Sequence, residues 1–321
     1  MNRSGNESGR WKPTATLENL HHRAALYQKI RQFFAQRNVL EVETPLLCRH
    51  TVTDPHIESF SVLASPTYFL QTSPEYAMKR LLAAGSGSIY QITKSFRVGE
   101  SGHQHNPEFT MLEWYRTGFN HHDLMDEMNL LLQFTLQTQT ADKISYRALF
   151  LTYLNVDPLE IKLEALKKLI VENNINMDSD NLDHDTCLQI LLSHLIEPKL
   201  GIEKPLFLYD FPPSQAALSK IRDDSNPVAE RFELYMNGSE IANGFHELTD
   251  ANEQINRFEK NQMARKKNNQ IIPDIDYYFI DALKAGLPNC AGVAVGIDRL
   301  LMQYAKTNCI HDVISFPFKR A

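Results

Sequence analysis

The 321-residue chain is 43% hydrophobic and 22% charged, the make-up of a soluble globular protein with room for one large domain or two ordinary ones. A net charge of −6 supplies no global basic field of the kind nucleic-acid binders carry; Cys48, Cys187, Cys290 and Cys309 lie far apart with no C-x-x-C pair, so neither a disulfide framework nor a zinc motif is indicated. No apolar run approaches the roughly eighteen residues that span a bilayer, and the opening "MNRSGNESGR" lacks a signal-peptide core, so residues 1–14 are read as a disordered polar tail on a cytoplasmic protein.

Leu20, Ala24, Tyr27, Ile30 and Phe34 recur at helical spacing and predict a helix ending near Asn38. "VLEVETPLL" follows as an extended segment stopped by Pro45. "YFLQTSPEYAMKRLLAAG" reads as a strand turning into a short helix, "SIYQITKSFRVGE" as a strand with period-two alternation, and "HNPEFTMLEWYRTGF" as its returning partner. Residues 122–137 predict a second amphipathic helix. Within 146–205, "KLEALKKLIVENN" and "CLQILLSHLIEP" read as helices joined by the acidic link "NMDSDNLDHD", together a small helical insertion in a domain running from 15 to 321. "PLFLYDF" is a strand ahead of Pro212 and Pro213, and "ERFELYMNGSEIANGFHEL" is a hairpin turning at Asn237-Gly238. The basic run "ARKKNNQ" at 264–270 reads as solvated surface. Hairpin-linked strands with helices outside them predict an α+β fold on an antiparallel sheet.

A two-residue turn at 237–238 pairs Tyr235 with Glu240 and Glu233 with Ala242. Side-chain alternation then puts Glu233 and Glu240 on one face as diagonal neighbours, about 6–8 Å apart at the backbone. Two carboxylates so placed suit one hard cation such as Mg2+ on substrate phosphates. Taken alone, a solvated hairpin face is the simpler explanation of the pair. Glu247, in "GFHEL", is flanked by apolar residues, which suits a buried carboxylate better than a surface one.

"SFRVGESGHQHNPEFTMLEWY" sets Arg97 at a strand end, a polar Gly-containing loop, and Phe109 on the return strand. The guanidinium fork suits a phosphate, and an adjacent aromatic face suits a base. In "AGVAVGIDR", Gly292, Ala294 and Gly296 fall on one strand face against which a ligand can lie flat, with Arg299 entering from the following helix. Close strand–helix packing also wants small residues there.

Together these stretches resemble the three signature motifs of class II aminoacyl-tRNA synthetases: "FFAQRNVLEVETPLL" the first, "FRVGE…HNPEFTMLEWY" the second, "GVAVGIDR" the third. The wording is closest to lysyl-tRNA synthetases in "TSPEYAMKRLL", "HNPEFTMLEWY", "NGFHELTDA" and "GIDRLLM". The resemblance implies a class II catalytic domain, with an antiparallel sheet flanked by helices, that dimerises through the segment ending at Pro45. It implies an ATP site of Arg97 (α-phosphate), Gly99, Glu100, Asn106, Phe109 (under the adenine), Glu240, Ile241, Gly296 and Arg299 (γ-phosphate and the other adenine face). Glu233 and Glu240 would hold Mg2+. Ser73, Pro74 and Glu75 would line the amino-acid pocket beside Ala294, and Glu247 with Tyr115 would receive the side-chain ammonium. The second motif departs from the family where Gly99 stands in place of the usual glutamate: either Glu100 substitutes through a shifted backbone or one ATP contact is lost.

An anticodon-binding barrel ahead of the domain needs roughly 50 residues, and the first predicted helix begins before residue 21, so tRNA is not the expected acceptor. The chain looks like the truncated synthetase-like family that attaches (R)-β-lysine to a lysine ε-amine of elongation factor P. In that family alanine stands where lysyl-tRNA synthetases carry glycine, as at Ala294, and the methyl disfavours α-lysine. The rival readings are a minimal lysyl-tRNA synthetase, a non-catalytic amino-acid or nucleotide sensor, and a related amide-forming ligase such as an asparagine synthetase.

Overall fold

Thr16 accepts a hydrogen bond from the Asn19 N–H and opens α1 (Leu17–Ala35), which buries Leu26, Ile30, Phe33 and Phe34. The computed structural model describes residues 11–176, 182–222 and 224–321, so residues 1–10 of the expected tail and 177–181 of the acidic link lie outside it. Thr14 is already anchored, its Oγ1 donating to the Ile314 carbonyl at 2.9 Å. Beyond a left-handed Asn38, the extended first-motif segment holds only β1 (Leu40–Glu41) and β2 (Leu47–Cys48), on either side of Pro45.

β3 (Ser61–Val62) and β4 (Tyr68–Leu70) complete a three-stranded sheet with β2, and α2 (Glu75–Ala83) follows the "TSP" turn. β5 (Ile89–Phe96) and β6 (Glu108–Thr117) pair antiparallel from Ile89 opposite Tyr115 to Phe96 opposite Glu108. Burial along β5 is nearly continuous rather than alternating, because both faces of the sheet are covered there. α3 (His121–Leu136) opens on a capping box between Asn120 and Asp123.

The short β7 (Asp142–Ser145), which no sequence pattern marked, leads into α4 (Tyr146–Leu154). α5 (Leu163–Glu172) and α6 (His184–Leu191) follow, and these three helices pack round Tyr146, Phe150, Leu188 and Leu191 as a body seated on β8 (Leu206–Phe211). β9 (Ile221–Arg222) precedes the hairpin of β10 (Val228–Met236) and β11 (Ser239–His246). Asn237 (φ 48) and Gly238 (φ 70) both take positive φ, as a type I′ turn demands.

α7 (Ala251–Lys267) and α8 (Tyr277–Gly286) were not legible, the first because its apolar content is too low to show a period. The expected solvated basic run belongs partly to the interior: Arg265 is buried and donates to the carbonyls of Thr53, Asp54, Ile57 and Ile271, pinning two loops together. β12 (Cys290–Gly296) and α9 (Ile297–Ala305) close the chain's core.

Among the described residues these strands form a nine-stranded sheet in the order β1-β5-β6-β12-β11-β10-β8-β7, with β9 on β10. It is antiparallel apart from the β1–β5 and β7–β8 pairs. One face packs on α1, α3 and α9 through Phe34, Trp114, Leu132, Val293, Val295 and Leu301. The other carries α2, α7 and α8 at one end, round Met78, Tyr115, Phe258 and Phe279, and is open beside them.

Register decides what lies in that opening. Gln91, Glu113, Ala294, Asn243 and Glu233 stand opposite one another on five successive strands, and Tyr115, Gly292, Phe245 and Arg231 form the next row. The expected Glu233–Ala242 pairing does not occur. Tyr235 does face Glu240, but the register slips between Leu234 and Tyr235, leaving Ile241 unopposed, so that Ala242 faces Leu234 and Asn243 faces Glu233. This bulge keeps Glu240 and Asn243 together on the open face, while Ile241 and Ala242 pack into the core and still border the opening.

Candidate active site

A cavity of about 250 Å³ opens over β6, β12 and β11. Its walls include Arg97, Glu100, His105, Asn106, Phe109, Glu240, Ile241, Ala294, Gly296 and Arg299, so nearly all of the expected nucleotide set faces one space. Gly99 is not in the wall; its φ of +83° turns the chain so that Glu100 is, and Glu100 pairs with Arg97 at 3.4 Å.

Arg97 is held from three sides. Its Nε donates to the Thr72 carbonyl at 3.3 Å, and its guanidinium lies 5.1 Å from the Phe109 ring centroid. Arg299 donates through Nη1 to the Glu240 carbonyl at 2.7 Å and through Nη2 to His105 Nε2. Desolvation, together with Arg299 and Arg97, lowers the His105 pKa, which keeps its imidazole neutral and able to accept that bond. Asn106 is buried, its amide donating to Glu108 O and its Oδ1 accepting from the Phe318 N–H. The loop between β5 and β6 is thereby fixed to the chain's C-terminal segment.

Glu240 is the open carboxylate of the hairpin pair. The cleft walls and the Glu233 carboxylate raise its pKa, although its side chain is 42% exposed to the cavity and the effect is partly screened. Glu233 lies behind the wall rather than in it: its oxygens accept from Arg231 and from Tyr235 Oη (2.6 Å). A carboxylate raised by its neighbour and exposed to the cavity fits a dication, with Glu240 as the direct group and Glu233 supporting it. His121, Glu230 and His246 also lie near enough to share an ion. That cluster is closed on itself, since His246 Nδ1 pairs with Glu230, His121 Nε2 pairs with the neighbouring Asp210 at 3.1 Å, and Arg222 lies 3.8 Å from Glu230 Oε1 as its counter-charge.

The amino-acid set lies one row further along the sheet, beyond Ala294. Glu75, Glu113 and Glu247 converge there, the last two almost fully buried. Glu113 accepts from Tyr115 Oη at 2.6 Å and Ser73 Oγ at 2.9 Å, and Ser73 Oγ also accepts from the Glu75 N–H, just after Pro74. Tyr115, expected with Glu247 at the substrate's side-chain ammonium, gives its hydroxyl proton to Glu113 in this structure. Glu247 instead pairs with Lys79, whose Nζ is 2.6 Å from Glu247 Oε2 and 2.6 Å from Glu75 Oε1. Burial, opposed by Lys79 and reinforced by Glu75, pushes Glu247 above the ordinary carboxylate range; burial and Glu75 push Glu113 up to about 7.

The small-residue face carries both of the roles considered for it. A Cβ on Gly292 would meet the Tyr115 ring at 2.3 Å and Glu247 Oε1 at 2.6 Å, so that glycine is a packing requirement. Gly296 has only Arg299 carbons nearby, at 3.8–3.9 Å, and is open to the cavity. Ala294, between Glu113 and Asn243, stands where the nucleotide cavity meets the acidic pocket.

Lys79, Glu113, His105 and Asn243 were not singled out from the sequence. Glu113 carries a signal only in retrospect, as a charge inside a largely apolar stretch; Lys79, next to Arg80, carries none, and Asn243 carries none without the bulge.

Residues 10–320 match the family model described as tRNA synthetases class II (D, K and N). The chain is 51% identical over 319 residues to elongation factor P--(R)-beta-lysine ligase of Vibrio atlanticus, covering 97% of this chain and 99% of the relative. It is likewise 51% identical to the Vibrio cholerae protein of that name (97% and 98% covered) and 48% identical to that of Yersinia enterocolitica (98% and 99% covered).

Proposed function

The chain belongs to the class II tRNA synthetase family (D, K and N), and from that premise we propose that it is an ATP-dependent ligase which activates (R)-β-lysine and transfers it to a lysine ε-amine of elongation factor P. The observation that carries this reading is the meeting, at Ala294, of a cavity walled by two arginines and an aromatic ring with a pocket of three carboxylates, two of them buried. Full-length similarity to ligases of that name supports the acceptor.

In the first step an oxygen of the substrate carboxylate attacks the α-phosphorus of ATP, the bond to pyrophosphate breaks, and an acyl-adenylate remains. Arg97 stabilises charge on the α-phosphate; Arg299 holds the γ-phosphate and, with Phe109, sandwiches the adenine; Asn106, Glu100 and the Ile241 and Gly296 backbone complete the site. Such a step needs in-line placement and fixed positive charge rather than a general acid or base. Glu240, with Glu233 behind it, would hold the Mg2+ carried with ATP, which would supply further charge neutralisation. In the second step the neutral ε-amine attacks the acyl carbon, AMP leaves, and the amine proton is released. Glu75 and Glu247 receive the two ammonium groups of the diamino acid.

Exposed Leu40, Leu46 and Leu47 beside Pro45 suit a homodimer contact. We place the protein in the cytoplasm, with elongation factor P; no helix of the described residues is long and apolar enough to cross a membrane. The test is mass spectrometry of elongation factor P after incubation with ATP and each lysine isomer, with tRNA in a parallel reaction. Mass added to the factor by the β isomer is the expected result; charged tRNA with unmodified factor overturns the choice of acceptor.

Ala294→Gly is expected to move preference toward α-lysine. One methyl in a pocket is worth about 1–3 kcal/mol, so the ratio of pyrophosphate-exchange rates for the two isomers should shift roughly 10- to 200-fold. An unchanged ratio removes Ala294 as the selecting residue.

A further inference from the structure

A lysine in the interior of a substrate pocket for a cation calls for an explanation. Lys79 is one turn along α2 from Glu75 and only 1% exposed. Its ammonium has a carboxylate oxygen at 2.6 Å on each of two sides, and the Phe279 ring centroid lies 5.8 Å away. An ammonium so enclosed is not free to act on a substrate carboxylate or to serve as an acceptor.

What it does is fix how many oxygens remain. Both Glu113 oxygens are taken by Tyr115 and Ser73. Lys79 donates a hydrogen bond to one oxygen of Glu75 and forms an ion pair with one oxygen of Glu247. Glu75 Oε2 and Glu247 Oε1 are left with no hydrogen bond among the described residues, and the second lies against Gly292 on the pocket floor. Once ionised, three carboxylates against one internal ammonium leave two negative charges in excess, which is the number of ammonium groups on a diamino acid.

We propose that Lys79 is a positioning residue that sets specificity: it clamps Glu75 and Glu247 at one separation, so that their remaining oxygens accept the two substrate ammoniums and select diamino acids by the spacing of their amines. The proposal rests on the reading of the site as a diamino-acid ligase. Without the clamp the two carboxylates repel, turn apart and no longer measure that spacing.

The test compares the wild type with Lys79→Met, which keeps the aliphatic stem, and Lys79→Ala, in pyrophosphate exchange driven by lysine isomers and by ornithine. Hydrogen bonds to charged groups are each worth enough that the Met variant should raise KM for its preferred lysine isomer about 10- to 100-fold. KM for ATP should stay within twofold, and lysine and ornithine should become nearly equivalent. Propylammonium added to the Ala variant should restore part of the lost selectivity, a response that a purely structural role would not give. Wild-type KM and selectivity in the Met variant, or a parallel loss toward ATP and amino acid without rescue in the Ala variant, overturns the clamp while leaving the ligase reading intact. A wild-type protein that exchanges pyrophosphate with none of these amino acids overturns the ligase reading, and the clamp with it.

Discussion

Arg97→Ala should lower amino-acid-dependent pyrophosphate exchange roughly 10³-fold in kcat/KM, with most of the loss in kcat. A donor aimed at charge that develops only in the transition state is worth about 10²–10³ in rate when neutral, and a guanidinium on a phosphate adds charge to that. Arg97 is prepared for this work before substrate arrives. Thr72 O and Glu100 restrain the guanidinium at two of its donors, Phe109 lies beneath it, and Nη2 has no partner among the described residues. The same fixity makes Arg97→Lys a poor repair, because a single ammonium cannot both hold the Thr72 carbonyl and present a fork to the phosphate. The lysine variant should recover no more than about a tenth of the lost activity by the fork argument. Steady-state exchange with ATP and amino acid each varied checks both statements, and an alanine variant retaining a third of wild-type kcat would remove Arg97 from the reaction.

Much of this site was legible because its chemistry sits on short-range patterns. Period-two alternation put Gly292, Ala294 and Gly296 on one face, and Asn237-Gly238 fixed where the glutamate hairpin turns. The row from Gln91 through Glu113, Ala294 and Asn243 to Glu233 was not legible, since it exists only through pairing of strands far apart in the chain. The slip at Ile241 has no local sequence cause, and one residue of slip exchanges Ala242 for Asn243 opposite Glu233. Lys79 and Arg265 were missed for a common reason. Charged residues on helices are ordinarily solvated, and only the tertiary structure shows one lysine between two glutamates and one arginine among four carbonyls. α7 illustrates the converse: a helix of mostly polar residues is held by Phe258 and by Arg265, which no hydrophobic period reveals.

Glu247→Gln should reduce kcat/KM for the diamino acid by roughly 10²–10³, because a substrate ammonium would then meet a neutral amide in a buried site and Lys79 would keep one carboxylate of its two. The wild-type carboxylates give this loss a pH signature. Glu113 titrates near 7 and Glu247 above its ordinary range, where an unfolded glutamate would titrate near 4.5. The folded protein therefore holds more protons than the unfolded chain between those values, and its stability without substrate falls as pH rises through that window. Substrate ammoniums replace those protons as counter-charges, so binding strengthens over the same window, by up to about tenfold per pH unit for each proton displaced. The rise in melting temperature produced by a saturating lysine isomer should then be larger at pH 8 than at pH 6 for the wild type. In Glu247→Gln it should depend less on pH, since one of the two titrating acids is gone. A wild-type shift that is flat from pH 6 to 8 would mean that the pocket is ionised before the substrate enters, and that charge matching in this pocket is complete without proton release.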